Sequence, residues 1–173
     1  MEPLITTSFD GPQLDDILAM HRLYGDVYEK NGGNNSYATA TPLGVVHTSQ
    51  VAAIGLDGNQ ISITATQTDF VSIDDNGDYD FYSFSLTESL DVAIDLLPQG
   101  ASYDTGPESG PVSTLDARML SDLSLTLYDS GGVNVLGAAN NNGLGGGESL
   151  SLALGPGNYY ARIGGAQNDV QLY

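Results

Sequence analysis

Seven consecutive residues, Asp74-Asp75-Asn76-Gly77-Asp78-Tyr79-Asp80, place four carboxylates and an amide around a turn-forming Asn-Gly. Ca²⁺ takes about six to eight oxygen ligands, and carboxylates supply them best. The turn runs into Phe81-Tyr82-Ser83-Phe84-Ser85-Leu86, whose alternation of apolar and polar residues is the period of a half-buried strand. Asp78 and Asp80 share strand parity, so both point to one side. Crowded carboxylates repel; salt relieves part of that repulsion and a bound cation removes it directly. A solvated acidic turn would carry the same residues, and the turn by itself leaves both readings open. It is not an EF-hand: with Asp74 as the first position, Tyr79 stands where Gly is required and Ser85 where the bidentate Glu belongs. Any cation here is expected to be Ca²⁺ and not Zn²⁺, because the candidate ligands are hard oxygens and both histidines lie elsewhere.

Other chemistry has little to be built from. His21 falls on a helical face and reads as a packing residue, and His47, near a strand end, reads as surface. No H-E-x-x-H, no G-x-S-x-G and no cysteine is present. An exposed acidic turn is not the apolar pocket that raises a glycosidase acid. The chain is therefore expected not to be an enzyme. Ten tyrosines and no tryptophan leave room for a tyrosine-lined binding face, although strand propensity alone also favours tyrosine.

Four Lys+Arg against 22 Asp+Glu give a net charge of −18, which argues against nucleic acid and against anionic membrane surfaces as partners. Seventeen of the acids are Asp, a turn residue, so the acidity belongs to loops between strands. No apolar run approaches membrane-spanning length, and Met1-Glu2-Pro3-Leu4 lacks the start of a signal peptide.

The elements that must position the acidic turn follow from periodicity. One helix is expected over 13–24, with Asp10 as cap, Pro12 in the first turn, Leu14, Ile17, Leu18 and His21 on one face, and Gly25 as the stop. A glycine- and asparagine-rich linker follows. Strands are expected near 43–47, 51–56, 60–66, 80–86, 90–96, 123–129, 149–154, 158–163 and 170–173. Residues 100–117 read as an exposed excursion. Short alternating strands with glycine-rich turns predict an all-β, antiparallel two-sheet sandwich with one N-terminal helix. Of the two faces of 80–86, Tyr82, Phe84 and Leu86 bury more apolar area and are expected inside, with Leu123, Leu125, Leu127, Tyr160 and Ile163.

Four motifs in order carry a resemblance. Asn34-Asn35-Ser36 with Ala40-Thr41-Pro42-Leu43-Gly44, then Asp78-Tyr79-Asp80-Phe81-Tyr82-Ser83-Phe84, Leu123-Ser124-Leu125-Thr126-Leu127-Tyr128-Asp129, and Gly157-Asn158-Tyr159-Tyr160-Ala161-Arg162-Ile163, resemble the bacterial pre-peptidase C-terminal domain. The preceding Met1-Glu2-Pro3, Leu14-Asp15-Asp16-Ile17 and Leu23-Tyr24-Gly25 are similar to the Met-turn and last helix of a matrixin-type zinc metalloprotease. The resemblance implies three parts: residues 1–25 as the end of a catalytic domain, 26–37 as a linker, and 38–173 as a jelly-roll-like sandwich. It implies a secreted or cell-surface, non-catalytic accessory domain that aids secretion, folding or substrate engagement and has no zinc of its own. Its partners would be the parent catalytic domain or an extracellular protein substrate, with a homodimer through the helix as another use of that face. The alternative is a stand-alone carbohydrate- or protein-binding module. Some relatives hold Ca²⁺ between linker and acidic turn, which by position implies Glu29, Asn34, Asn35, Asp75, Asp78 and Asp80 as ligands, although Asn35 stands where Asp is usual.

Overall fold

The computed structural model describes residues 14–29, 33–54, 71–107 and 110–173. The proposed caps Asp10 and Pro12 and the strand candidate at 60–66 lie outside them. Of the candidate at 51–56, the described residues 51–54 are not strand.

The centre of the fold is a five-stranded sheet in the order β1 (Thr41–Val46), β3 (Tyr79–Leu86), β10 (Gly157–Gly165), β7 (Leu123–Tyr128), β8 (Val135–Ala139). Its pairings are antiparallel except at the edge, where β1 runs parallel to β3. That parallel pair departs from the wholly antiparallel expectation. A register shift between Pro42 and Gly44 marks the edge, with Gly44 at φ 85°. A proline and a bulge both discourage further pairing on an edge strand.

Facing this sheet is the antiparallel pair β4 (Leu90–Leu96) and β9 (Glu148–Leu154), register Leu90↔Leu154 to Leu96↔Glu148. Leu90, Val92, Ile94, Leu150 and Leu152 pack from it onto Tyr82, Phe84, Leu86, Leu123, Leu125, Leu127 and Ile163. Leu123, Leu125 and Leu127 are wholly buried, and each stabilises the fold by about 1.5–3 kcal/mol relative to exposure. The face of β3 with Tyr82, Phe84 and Leu86 is the inner one, as its apolar area dictates. Tyr160 is a correction. Strand period puts Ala161 and Ile163 inside, so Tyr160 and Arg162 must face out, and Tyr159 stacks on Phe84 instead at 5.5 Å.

Four strands had too little alternation to be read from sequence. β2 (Ser72–Ile73) pairs with β11 (Gln171–Leu172), and β5 (Ser102–Thr105) pairs with β6 (Ser113–Asp116) as a largely exposed hairpin inside the expected excursion. With the edge strand β8, the four unread strands are β2, β5, β6 and β8, since β11 falls within the expected 170–173. The fold is thus mostly β, a sandwich with one helix.

That helix, α1 (Leu14–Tyr24), has Asp15 and Asp16 in its first turn and His21 and Arg22 in its last, as its dipole favours. Gly25, at φ 62°, closes it by donating its N–H to the His21 carbonyl at 2.7 Å. No helix residue is buried. Two side chains tie α1 to the sandwich: His21 Nδ1 lies 2.8 Å from Ser72 Oγ, and Arg22 pairs with Asp169. Among the described residues no helix is long and apolar enough to cross a membrane.

Candidate functional site

Where the segment after α1 meets the start of β3, five carboxylates and two asparagine amides collect. Asp26 and Glu29 form a reciprocal turn. Asp26 Oδ1 accepts from the N–H groups of Tyr28 (2.7 Å) and Glu29 (3.3 Å), while Glu29 Oε2 accepts from Asp26 N–H at 2.8 Å. This D-x-x-E reciprocity is the pattern of a helix capping box. Asp26 Oδ2 reaches across to Ser72 N–H at 3.2 Å, fastening the entry segment to β2.

Asp74 follows β2 directly, and its N–H donates to Asp78 Oδ2 at 3.1 Å. Asn35 Nδ2 lies 3.4 Å from Asp78 Oδ1. The Asn34 carbonyl accepts from Phe81 N–H at 2.8 Å, which brings Asn34 against the first residues of β3. Asp80 points into the molecule, and the Tyr173 hydroxyl donates to its Oδ2. Asp75 does something else. Its Oδ1 accepts from Gly77 N–H at 2.6 Å and its carbonyl from Asp78 N–H, so it shapes the exposed turn at the rim.

The balance of partners is uneven. Asn34 and Asp80 are 1% and 0% exposed, yet both side-chain polar atoms of Asn34, Oδ1 of Asp80 and Oδ1 of Asp74 have no hydrogen-bond partner. An unpaired buried polar group costs about 1–3 kcal/mol, more if charged. Burial is also the main reason the acids are hard to ionise. It pushes Asp80 up to about 8, against the opposing Tyr173 hydrogen bond and with Asp26, Asp78 and Glu29 adding repulsion. Glu29 rises to about 7 and Asp74 to about 6, again chiefly by burial, with repulsion from the neighbouring acids on top. Asp26 and Asp78 are raised for the same first cause. Among the described residues no three acids or histidines already converge on one point. The donor set is hard oxygen throughout, which suits Ca²⁺ and not Zn²⁺.

The sequence-predicted residues Glu29, Asn34, Asn35, Asp78 and Asp80 are brought together here, with Asp75 at the rim. Asp26 and Asp74 belong to the same cluster and were passed over. The D-x-x-E spacing of Asp26 and Glu29 could have flagged the first, and the second stood inside the acidic run. Tyr173, 93 residues from Asp80, had no local signal.

A second feature lies on the outer face of the five-stranded sheet. Arg162 has its guanidinium carbon 4.6 Å from the Tyr79 ring centre and 5.6 Å from that of Tyr128. Phe81 lies beside Tyr128 at 6.2 Å, and Tyr37 meets Tyr160 edge-on at 6.0 Å. Among the described residues Arg22 and Arg118 pair with carboxylates, whereas Arg162 packs between rings.

Residues 78–165 match the model of the bacterial pre-peptidase C-terminal domain, slightly more than half of the chain, from the acidic turn to the end of β10. The chain belongs to that family, a family of non-catalytic domains of bacterial proteases. A search of curated proteins gave no match.

Proposed function

We propose that this chain is the non-catalytic C-terminal accessory portion of a secreted zinc metalloprotease, and that Ca²⁺ bound in the acidic nest clips its entry segment to the sandwich. The observation that carries the calcium reading is the set of buried, unpartnered oxygens of Asn34, Asp74 and Asp80 beside Glu29 and Asp78. Glu29, Asn34, Asp74, Asp78 and Asp80 would hold the ion, with Asp26 fixing the entry turn and Asn35 steering Asp78. The ion would supply charge neutralisation and cross-linking, not catalysis. By joining residues before β1 to residues on β3, it would order the stretch between catalytic domain and sandwich.

The protease context rests on the family and on the matrixin-like Leu14-Asp15-Asp16-Ile17…Leu23-Tyr24-Gly25. In α1, Met20, Leu23 and Tyr24 are 57%, 72% and 63% exposed, an apolar flank suited to a catalytic domain or to a second copy of the chain. Secretion, folding and substrate engagement are the tasks such a domain would serve.

The test is a melting curve of the purified chain in millimolar Ca²⁺ and then in chelator, beside calorimetric titration. A cation that binds only the native state must raise the midpoint. No shift and no heat would refute the calcium reading. Coding sequence upstream and in frame should contain H-E-x-x-H; a stop codon there, or peptidase activity in the fragment itself, would refute the protease-accessory reading.

The Arg162 face favours a second reading, a carbohydrate- or protein-binding module. Tyrosine rings and a guanidinium gathered on one outer sheet face can pack against sugar rings or peptide planes. Tyr79→Ala and Tyr128→Ala should then abolish retention on the ligand while leaving the calcium response intact.

A further inference from the structure

We propose that Tyr173 is a positioning residue for the cation site and that it couples docking of the last strand, β11, to cation binding. The inference rests on the reading of Asp80 as a ligand. Residues 170–173 are all nearly inaccessible, from 0% exposure at Gln171 to 7% at Tyr173. Their backbone is held by β2: Gln171 pairs with Ile73, Leu172 with Ser72, and Tyr173 N–H donates to the Val71 carbonyl at 3.1 Å. The Leu172 carbonyl accepts from Gln99 N–H at 3.0 Å and from Ser121 Oγ at 3.3 Å. The strand that receives β11 is therefore also the strand that anchors Asp26 through Ser72 N–H and delivers Asp74.

The side-chain link is more direct. Ionised Asp80 can only accept, so the Tyr173 hydroxyl must donate to its Oδ2. The Tyr173 oxygen then accepts from the Tyr82 hydroxyl, 2.9 Å away, and the three groups form one directed chain in the core. With Oδ2 tied and Oδ1 buried without a partner, Tyr173 sets the rotation of the carboxylate and thus where Oδ1 points. Partners of this outer kind typically contribute about 10–100-fold to metal affinity. Linkage makes the coupling reciprocal: what strand docking does for the ion, the ion does for the strand.

The test uses the whole chain. Ca²⁺ is titrated calorimetrically into wild type, Y173F and Y82F, and amide exchange at Leu172 and Tyr173 is followed with Ca²⁺ and with chelator. Terbium luminescence lifetimes in H₂O and D₂O count the waters on the bound ion. Ca²⁺ is expected to slow exchange at both wild-type amides. Y173F should bind roughly 10–100-fold more weakly and carry an additional coordinated water as Asp80 leaves the shell. Y82F, which keeps the donation to Asp80, should lose only a few-fold. Unchanged exchange in wild type overturns the coupling whether or not Y173F folds. Equal affinity and equal hydration in Y173F overturn the positioning role while leaving the calcium reading intact. Failure of wild type to bind Ca²⁺ overturns both.

Discussion

Asp80→Asn should remove the largest single part of the pH dependence of stability and weaken its response to calcium. Asp80 is fully buried and raised from 3.8 to about 8, first by burial. Its folded value lies above its unfolded value, so the native state keeps the proton longer. Its stabilising contribution is whole below the unfolded value and is lost as pH rises through the folded one. One unit corresponds to about 1.4 kcal/mol, so between about pH 5 and about pH 8 this group removes at most about 4 kcal/mol. Glu29, at about 7, and Asp74, at about 6, act in the same direction. Asp26 and Asp78 share the field, while Tyr82 and Tyr173, both raised, stay protonated throughout. Asn keeps the shape and offers Tyr173 an acceptor without the charge. The assay is urea unfolding in chelator across that pH window, repeated in Ca²⁺. Wild type in chelator should lose up to about 4 kcal/mol more than the variant, and Ca²⁺ should offset the wild-type decline and stabilise the variant less than the wild type. Parallel pH curves for the two proteins in chelator would show that Asp80 does not carry the buried charge and would refute the reasoning.

Leu125→Ala removes a wholly buried side chain between the sheets and should cost about 2–5 kcal/mol, seen as a lower urea midpoint at unchanged slope. Gly25→Ala places a side chain at φ 62°, where its Cβ would stand 1.8 Å from Glu29 Oε2. It should cost about 1–2 kcal/mol in thermal melts from the left-handed backbone alone, and weaken Ca²⁺ binding by displacing Glu29. Gln171→Ala leaves Asp122 N–H without the 2.8 Å acceptor it now has and opens a fully buried position. Chemical denaturation should show a loss of roughly 1–3 kcal/mol from the unpaired donor.

What the sequence determined by itself is local and periodic. Alternation along β3, β4, β7 and β9 fixed strands and inner faces, because one buried face cannot tolerate a slip of one residue. The last turn of α1 and its stop at Gly25 were equally legible from spacing and residue type. The two-residue strand β2 and the parallel pairing of β1 with β3 were not, since pairing and not pattern creates them. Tyr160 faces out because its strand neighbours Ala161 and Ile163 took the core, a choice made by register with β3 and β7. At the site, sequence marked the acidic turn and its hard-oxygen chemistry. Which acids share the nest was decided by backbone hydrogen bonds between distant segments: Asp75 turned to Gly77, Asp26 drawn in by Ser72, and Asp80 held by Tyr173. A carboxylate's neighbours along the chain state its charge, but only the packing around it sets its solvation, and solvation is what makes these acids hard to ionise.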